Sequence, residues 1–248
     1  MSILDINDNI KDDSYAIKQW IKDNCEVYGS YNIVDNKVYA SGNIVISNKK
    51  IRSIDVNFEL VDGNFSCFNC IYLKNLHGSP KKCSYFDCSQ CFDLIDLEGS
   101  PEIVDEFYCE DCVNLKSLKG GPKIITRKFK CGDCVNLESI DWWPHAISGS
   151  LNFTGCYSLK SLNGLPDMMD GNLEIIDCRS LKNLIGAPRS LYGNLYCSYC
   201  DNIISLNGIP EIIGGSVTFS KCPNISTSET DIRKESIIKG EVYIKCIK

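Results

Sequence analysis

Residues 107–122 read FYCEDCVNLKSLKGGP and residues 195–210 read LYCSYCDNIISLNGIP, two copies of the pattern [F/L]-x-C-x-x-C-x-x-[L/I]-x-x-L-x-G-x-P. A fixed period constrains a chain more than composition does. A unit this short cannot bury its own apolar face, so copies must stack and share one continuous core. Taking the first strand residue of each copy as position 1, the coils begin at Ile44, Phe65, Phe86, Phe107, Phe129, Leu151, Leu173, Leu195 and Val217, always 21 or 22 residues apart. The expected fold is a repeat solenoid of about nine coils, and the length of 248 residues reads as one elongated array rather than two globular domains.

Positions 1 and 3 are apolar with polar or variable residues between them, the alternation of a strand with one buried face, so each coil is expected to give one short parallel strand. At ~4.8 Å per strand, nine of them make a sheet about 38 Å long. The second half of each coil is too short and too rich in Gly and Pro for a regular helix and is expected to be extended or to form one 3₁₀ turn.

The ends depart from the repeat, as the terminal units of a stack must if they are to close its core. Residues 1–43 read as an N-terminal cap: an amphipathic helix from about Asp12 to Cys25, capped by Asp13 or Ser14, with Ile17, Trp20, Ile21 and Cys25 on one face, then a hairpin of 31–34 with 38–40 around Asp35-Asn36. Residues 44–225 form the array, its first coil degenerate, with Asn48 near the place of the second cysteine. Residues 226–248 read as a C-terminal cap in which Ser228 starts a short helix and Val242, Ile244 and Cys246 alternate in a closing strand.

The pattern resembles the leucine-rich repeat, L-x-L-x-x-[N/C]-x-x-L-x-x-L, over residues 44–225, and its short period with Leu-x-Gly-x-Pro is similar to the bacterial effector type of that family. The phrasing Gly193-Asn-Leu-Tyr-Cys-Ser198, with Ile204-Ser-Leu-Asn-Gly-Ile-Pro210, is also similar to repeat proteins encoded by tailed bacteriophages. The resemblance implies a horseshoe with few helices and one parallel β-sheet on its concave side, and protein binding as its use. For a phage protein it implies action in the host cytoplasm.

Sixteen cysteines invite a metal reading. Cys67-x-x-Cys70 and Cys88-x-x-Cys91 have the spacing of a four-cysteine zinc site. The pairs recur at the repeat period, however, and their first member is replaced by Phe153, Ile175 and Phe219 in other coils, where no ligand would remain. The second member is Cys in all eight regular coils, as Cys70, Cys91, Cys112, Cys134, Cys156, Cys178, Cys200 and Cys222. A buried thiol there can donate to a backbone carbonyl of the neighbouring coil, the role Asn has in other leucine-rich repeats. A structural ladder of reduced thiols, with no metal or other cofactor, therefore accounts for more of the pattern than zinc does.

No catalytic residues are assigned: the histidines, His77 and His145, fall on the return side, and no Ser or Cys stands at a recognisable nucleophile turn. The net charge of −6 disfavours a nucleic-acid or anionic-membrane surface and suits a partner protein with a neutral or basic surface. The apolar runs are far shorter than the ~20 residues that span a bilayer, and the acidic start is unlike a signal peptide, so a cytoplasmic protein is expected. The candidate partner-binding residues are Phe68, Tyr85, Tyr108, Glu110, Asp111, Glu174, Tyr196 and Tyr199 on the outward strand positions and the turn that follows, where Asp87, Glu106, Asp133 and Asp177 add acidic charge. Trp142 and Trp143 join them, Trp142 occupying a position that is Gly in the other regular coils. The basic run Lys116, Lys119, Lys123, Arg127, Lys128 and Lys130 reads as a solvated face beside these acids. The expected function is non-enzymatic protein binding, as in a phage protein that binds or inhibits a host factor. The alternative is a small-ligand- or zinc-binding module using Trp142 and Trp143 or the paired cysteines.

Overall fold

The structure, a computed structural model, describes residues 13–140 and 146–246. It is a solenoid whose strands stack in the register that the repeat dictates. Ile44 pairs with Phe65, Phe65 with Phe86, and so on without a slip through Leu195 with Val217, and Val217 pairs with Val242 of the closing strand.

The corners explain the spacing. In the first two Cys-x-x-Cys coils the second cysteine's N–H returns to the first one's carbonyl, from Cys70 to Cys67 (3.2 Å) and from Cys91 to Cys88 (3.4 Å), and the residue before it is left-handed, Asn69 at φ 56°. This is a β-turn with positive φ at its third residue, so short polar Asn, Asp or Gly is favoured there. Two further turns follow at three-residue steps: Leu73 N–H donates to Cys70 and Ser79 N–H to Leu76, the last around Gly78 at φ 93°. In the coils led by Phe65 through Leu195, positions 3, 6, 9 and 12 thereby point inward and, Leu206 apart, are buried, which is why C-x-x-C-x-x-L-x-x-L is the pattern. The glycine belongs to the last turn, where a Cβ on Gly120 would stand 2.6 Å from the Glu98 Cα.

Inside, position 1 forms a stack of rings: Phe65, Phe86, Phe107 and Phe129 lie nearly parallel at 5.1 to 5.5 Å between centroids. Each sits beside a cysteine at position 3. In three coils where position 1 is smaller, Leu151, Leu173 and Val217, position 3 is larger, Phe153, Ile175 and Phe219, which offsets the lost volume; the Leu195 coil keeps Cys197.

The return side differs from the expectation of one parallel sheet. Alongside a thirteen-stranded sheet, a second parallel sheet is built from the two-residue strands Met168–Met169, Ser190–Leu191, Ile212–Ile213 and Ile237–Ile238. In the coils led by Phe86, Phe107 and Phe129 one strand carries both arms, as in Lys82–Asp87, Ile103–Tyr108 and Ile124–Lys130. In the later coils Gly149, Gly171, Gly193 and Gly215 stand at the corner between the two arms. These glycines stack so closely that a Cβ on Gly193 would meet the Gly171 carbonyl oxygen at 2.3 Å.

The helix α1, Asp13–Asn24, buries Ile17 and Ile21 against the end of the core and half-buries Trp20. The hairpin is longer than the sequence suggested. Strand β1 (Glu26–Val34) pairs antiparallel with β2 (Lys37–Val45) around Asp35 and Asn36, both at positive φ as a tight hairpin turn requires. Because β2 contains both Val38 of the hairpin and Ile44 of the first coil, cap and array share one strand. Asn48 at φ 62° is the turn residue of that coil, one place before the cysteine column. At the other end Ser228 caps α2, Glu229–Glu235, through a reciprocal bond pair with Asp231, and Val242–Lys245 closes the main sheet. No helix among the described residues is long and apolar enough to cross a membrane.

Candidate functional site

Two features of the array carry side-chain chemistry: the thiol column inside and the outward strand face. In the column each second cysteine reaches back to the position-3 carbonyl of the coil before it. Cys70 Sγ lies 3.4 Å from the Ile46 carbonyl oxygen, Cys134 Sγ 3.0 Å from Cys109, Cys156 Sγ 3.0 Å from Cys131 and Cys178 Sγ 3.0 Å from Phe153. The same link joins Cys91 to Cys67, Cys112 to Cys88, Cys200 to Ile175 and Cys222 to Cys197. Burial pushes the Cys70 thiol up to about 11, so at neutral pH it is an S–H donor rather than a thiolate. Among the described residues no group of three or more His, Cys, Asp or Glu side chains is placed to hold a metal ion.

Cys156 tests this column without the Cys-x-x-Cys question, because Phe153 stands where a companion would. Cys156→Ser exchanges a weak donor for a strongly solvated hydroxyl in an apolar interior, and its shorter C–O bond pulls it away from the Cys131 carbonyl. A loss of about 1–3 kcal/mol in unfolding free energy is expected. A serine variant as stable as the parent in urea titration would remove the thiol's role.

On the strand face, Tyr85 and Tyr108 meet at 4.9 Å between ring centroids, Tyr108 donates to Glu106 (2.8 Å), and the Lys130 ammonium stands 5.5 Å from the Tyr108 ring and 3.9 Å from Glu110. Burial, then the Glu106 bond, pushes the Tyr108 phenol up to about 12, and desolvation raises the Glu110 carboxyl. These residues are half-buried rather than freely exposed, as are Phe68, Asp111, Glu174 and Tyr196, because side chains in parallel rows lie over one another. Tyr199 is exposed.

The candidates fall into two groups. Tyr85, Tyr108, Glu110 and Asp111 lie together on adjacent coils, with Phe68 one coil before Tyr85. Glu174 and Tyr196 are strand neighbours, with Tyr199 at the corner of the Tyr196 coil, and Lys130 and Asn152 lie between the groups. Asp111, Asp133, Asp177 and Tyr199 occupy the left-handed turn position, φ 56° to 57°, so the backbone accounts for the acids there. Trp142 and Trp143 lie outside the described residues, as does His145.

Comparison with protein-family models, with curated proteins and with solved structures gave no match. The site therefore rests on its own geometry.

The basic run is organised by the stack. Lys119 pairs with Glu98, Lys123 with Glu102, Arg127 with Glu106 and Lys130 with Glu110, each acid one coil earlier. Exposed pairs of this kind contribute little individually, yet they offset the charge of four of the run's six basic residues. Sequence reasoning missed the turn column, which the recurrence of Asn, Asp and Gly before five of the eight column cysteines signals, and a cleft at the last coil.

Proposed function

We propose that the chain is a non-enzymatic protein-binding solenoid of the leucine-rich-repeat type, with its strand face on the concave side of a horseshoe and the Tyr85, Tyr108, Glu110 and Asp111 cluster at the centre of the interface. The observation that carries this reading is the packed Tyr85–Tyr108 pair, held among carboxylates on hydrogen-bonded strands. Such rings give contact area with little ordering entropy left to lose, and the surrounding acids favour a partner with a basic surface. The phage resemblance extends the reading to a viral protein that binds or inhibits a host factor in the host cytoplasm.

The test is capture of a partner from bacterial lysate, followed by binding kinetics. Tyr108→Ala is expected to raise the off-rate, at a cost of about 2 kcal/mol. Glu110→Gln with Asp111→Asn, the latter keeping a residue that tolerates the left-handed turn, is expected to lower the on-rate and flatten its salt dependence. Binding that survives both but is lost in Trp142→Ala with Trp143→Ala would move the interface to the corner of the solenoid.

A further inference from the structure

The turn column takes Asn, Gln, Asp or Gly through Asp177 and then changes character: the last two regular coils place Tyr199 and Lys221 there, at φ 56° and 52°. Long side chains gain nothing from this conformation, and a turn that other coils build with Asn or Asp has no backbone reason to use them. Both departures occur at one spot. Together with Tyr243 and Lys245 they line a cleft of about 580 Å³ at the end of the main sheet.

Some basic side chains of the array pair with an acid on a neighbouring coil, as Lys81 does with Glu59, Lys160 with Glu138 and Arg189 with Glu211. Among the described residues Lys221 and Lys245 enter no ion pair. Lys221 instead donates to the Tyr199 hydroxyl (2.7 Å) with its ammonium 4.5 Å from that ring, and Lys245 follows Tyr243 on the closing strand, where it pairs with Ser220. The cleft also holds one carboxylate, Asp201. Two ammonium groups outside any ion pair thus stand, in a chain of net charge −6, beside a tyrosine, Tyr243, that is 55% exposed.

We infer that this cleft binds a small phosphate monoester carried on a planar ring, with Lys221 and Lys245 meeting the phosphate and the Tyr243 ring meeting the planar group. Lysine ammonium groups bind phosphate as point charges, a tyrosine face supplies stacking area, and the volume suits a ligand of mononucleotide size. The two lysines lie five and six coils from the Tyr108 coil, while Tyr199, at the cleft's edge, is also one of the outward-face candidates.

The experiment is a titration of the full chain, followed by calorimetry and amide chemical shifts, with adenosine monophosphate, phenyl phosphate, inorganic phosphate and adenosine. Both monoesters are expected to bind, inorganic phosphate about tenfold more weakly, and adenosine without saturation. Tighter binding of adenosine monophosphate assigns a nucleotide; tighter binding of phenyl phosphate assigns a simple aryl ester. Lys221→Asn and Lys245→Gln are each expected to weaken binding about tenfold. Lys221→Asn should also raise the melting temperature, since it restores the residue type the turn favours, so loss of binding cannot be put down to misfolding. The inference is overturned if neither monoester saturates at millimolar concentration, or if the folded double variant binds as the parent does. Tyr108→Ala should leave these titrations unchanged.

Discussion

Replacing Phe107 by alanine is expected to lower the free energy of unfolding by about 3–5 kcal/mol. Its ring is fully buried in the middle of the stack, 5.1 Å from Phe86 and 5.4 Å from Phe129. A globular core can partly collapse around such a hole. Here the neighbouring coils are held at the strand hydrogen-bond pitch on both sides, so the cavity persists and the cost should fall at the upper end. Phe107→Leu should cost much less, because Leu fills this column at positions 151, 173 and 195. Adding Cys109→Phe to the leucine variant recreates the pair made by Leu151 and Phe153, and should recover part of the loss where Cys109→Phe alone overpacks. Since stacked repeats can unfold in parts, hydrogen exchange of the flanking coils should accompany chemical unfolding. A loss below about 1 kcal/mol for alanine, or strict additivity of the two substitutions, would mean that the column is not close-packed.

The register was legible because the repeat carries it. Once Phe107 and Leu195 are aligned, hydrophobic alternation fixes which residues face inward, and the observed pairing keeps that frame at every step. The closing strand was legible for the same reason, Val242 and Ile244 continuing the inward columns of Val217 and Phe219. The second sheet was not. Met168–Met169 and Ser190–Leu191 are two residues long, flanked by Pro and Gly, and without a local signal of strand; they pair only because stacking brings equivalent residues together.

The outward face was harder to read, since alternation gives direction but not exposure. Tyr85 and Tyr108 point outward as expected, yet they cover each other across adjacent coils. Asp111 and Asp177 look like surface charge in the sequence, whereas their left-handed backbone gives them a role that any short polar residue could fill. Lys221 and Tyr199 lack that explanation. The column that makes the acids ordinary is what sets these two apart.

Removing residues 1–43 is expected to abolish the soluble monomer. The cut passes through β2, which pairs with β1 on one side and with Asn57–Asp62 and Asn64–Ser66 on the other. It takes Ile17, Ile21, Val38 and Ala40 out of the core and uncovers Phe58, whose ring packs edge-on against Phe65. Losing the burial of three large aliphatic side chains alone costs about 5–9 kcal/mol, comparable with the whole stability of a typical domain. The exposed strand would also present open backbone groups beside an apolar surface, the arrangement that recruits another chain. Light scattering should show dimers or larger aggregates of residues 44–248. Deleting only residues 1–24 keeps the hairpin over the strand edge and should give a destabilised but still folded chain. If the 44–248 fragment is instead monomeric with native far-ultraviolet circular dichroism and cooperative melting, the array closes its own end, and helix and hairpin are an appendage rather than a cap.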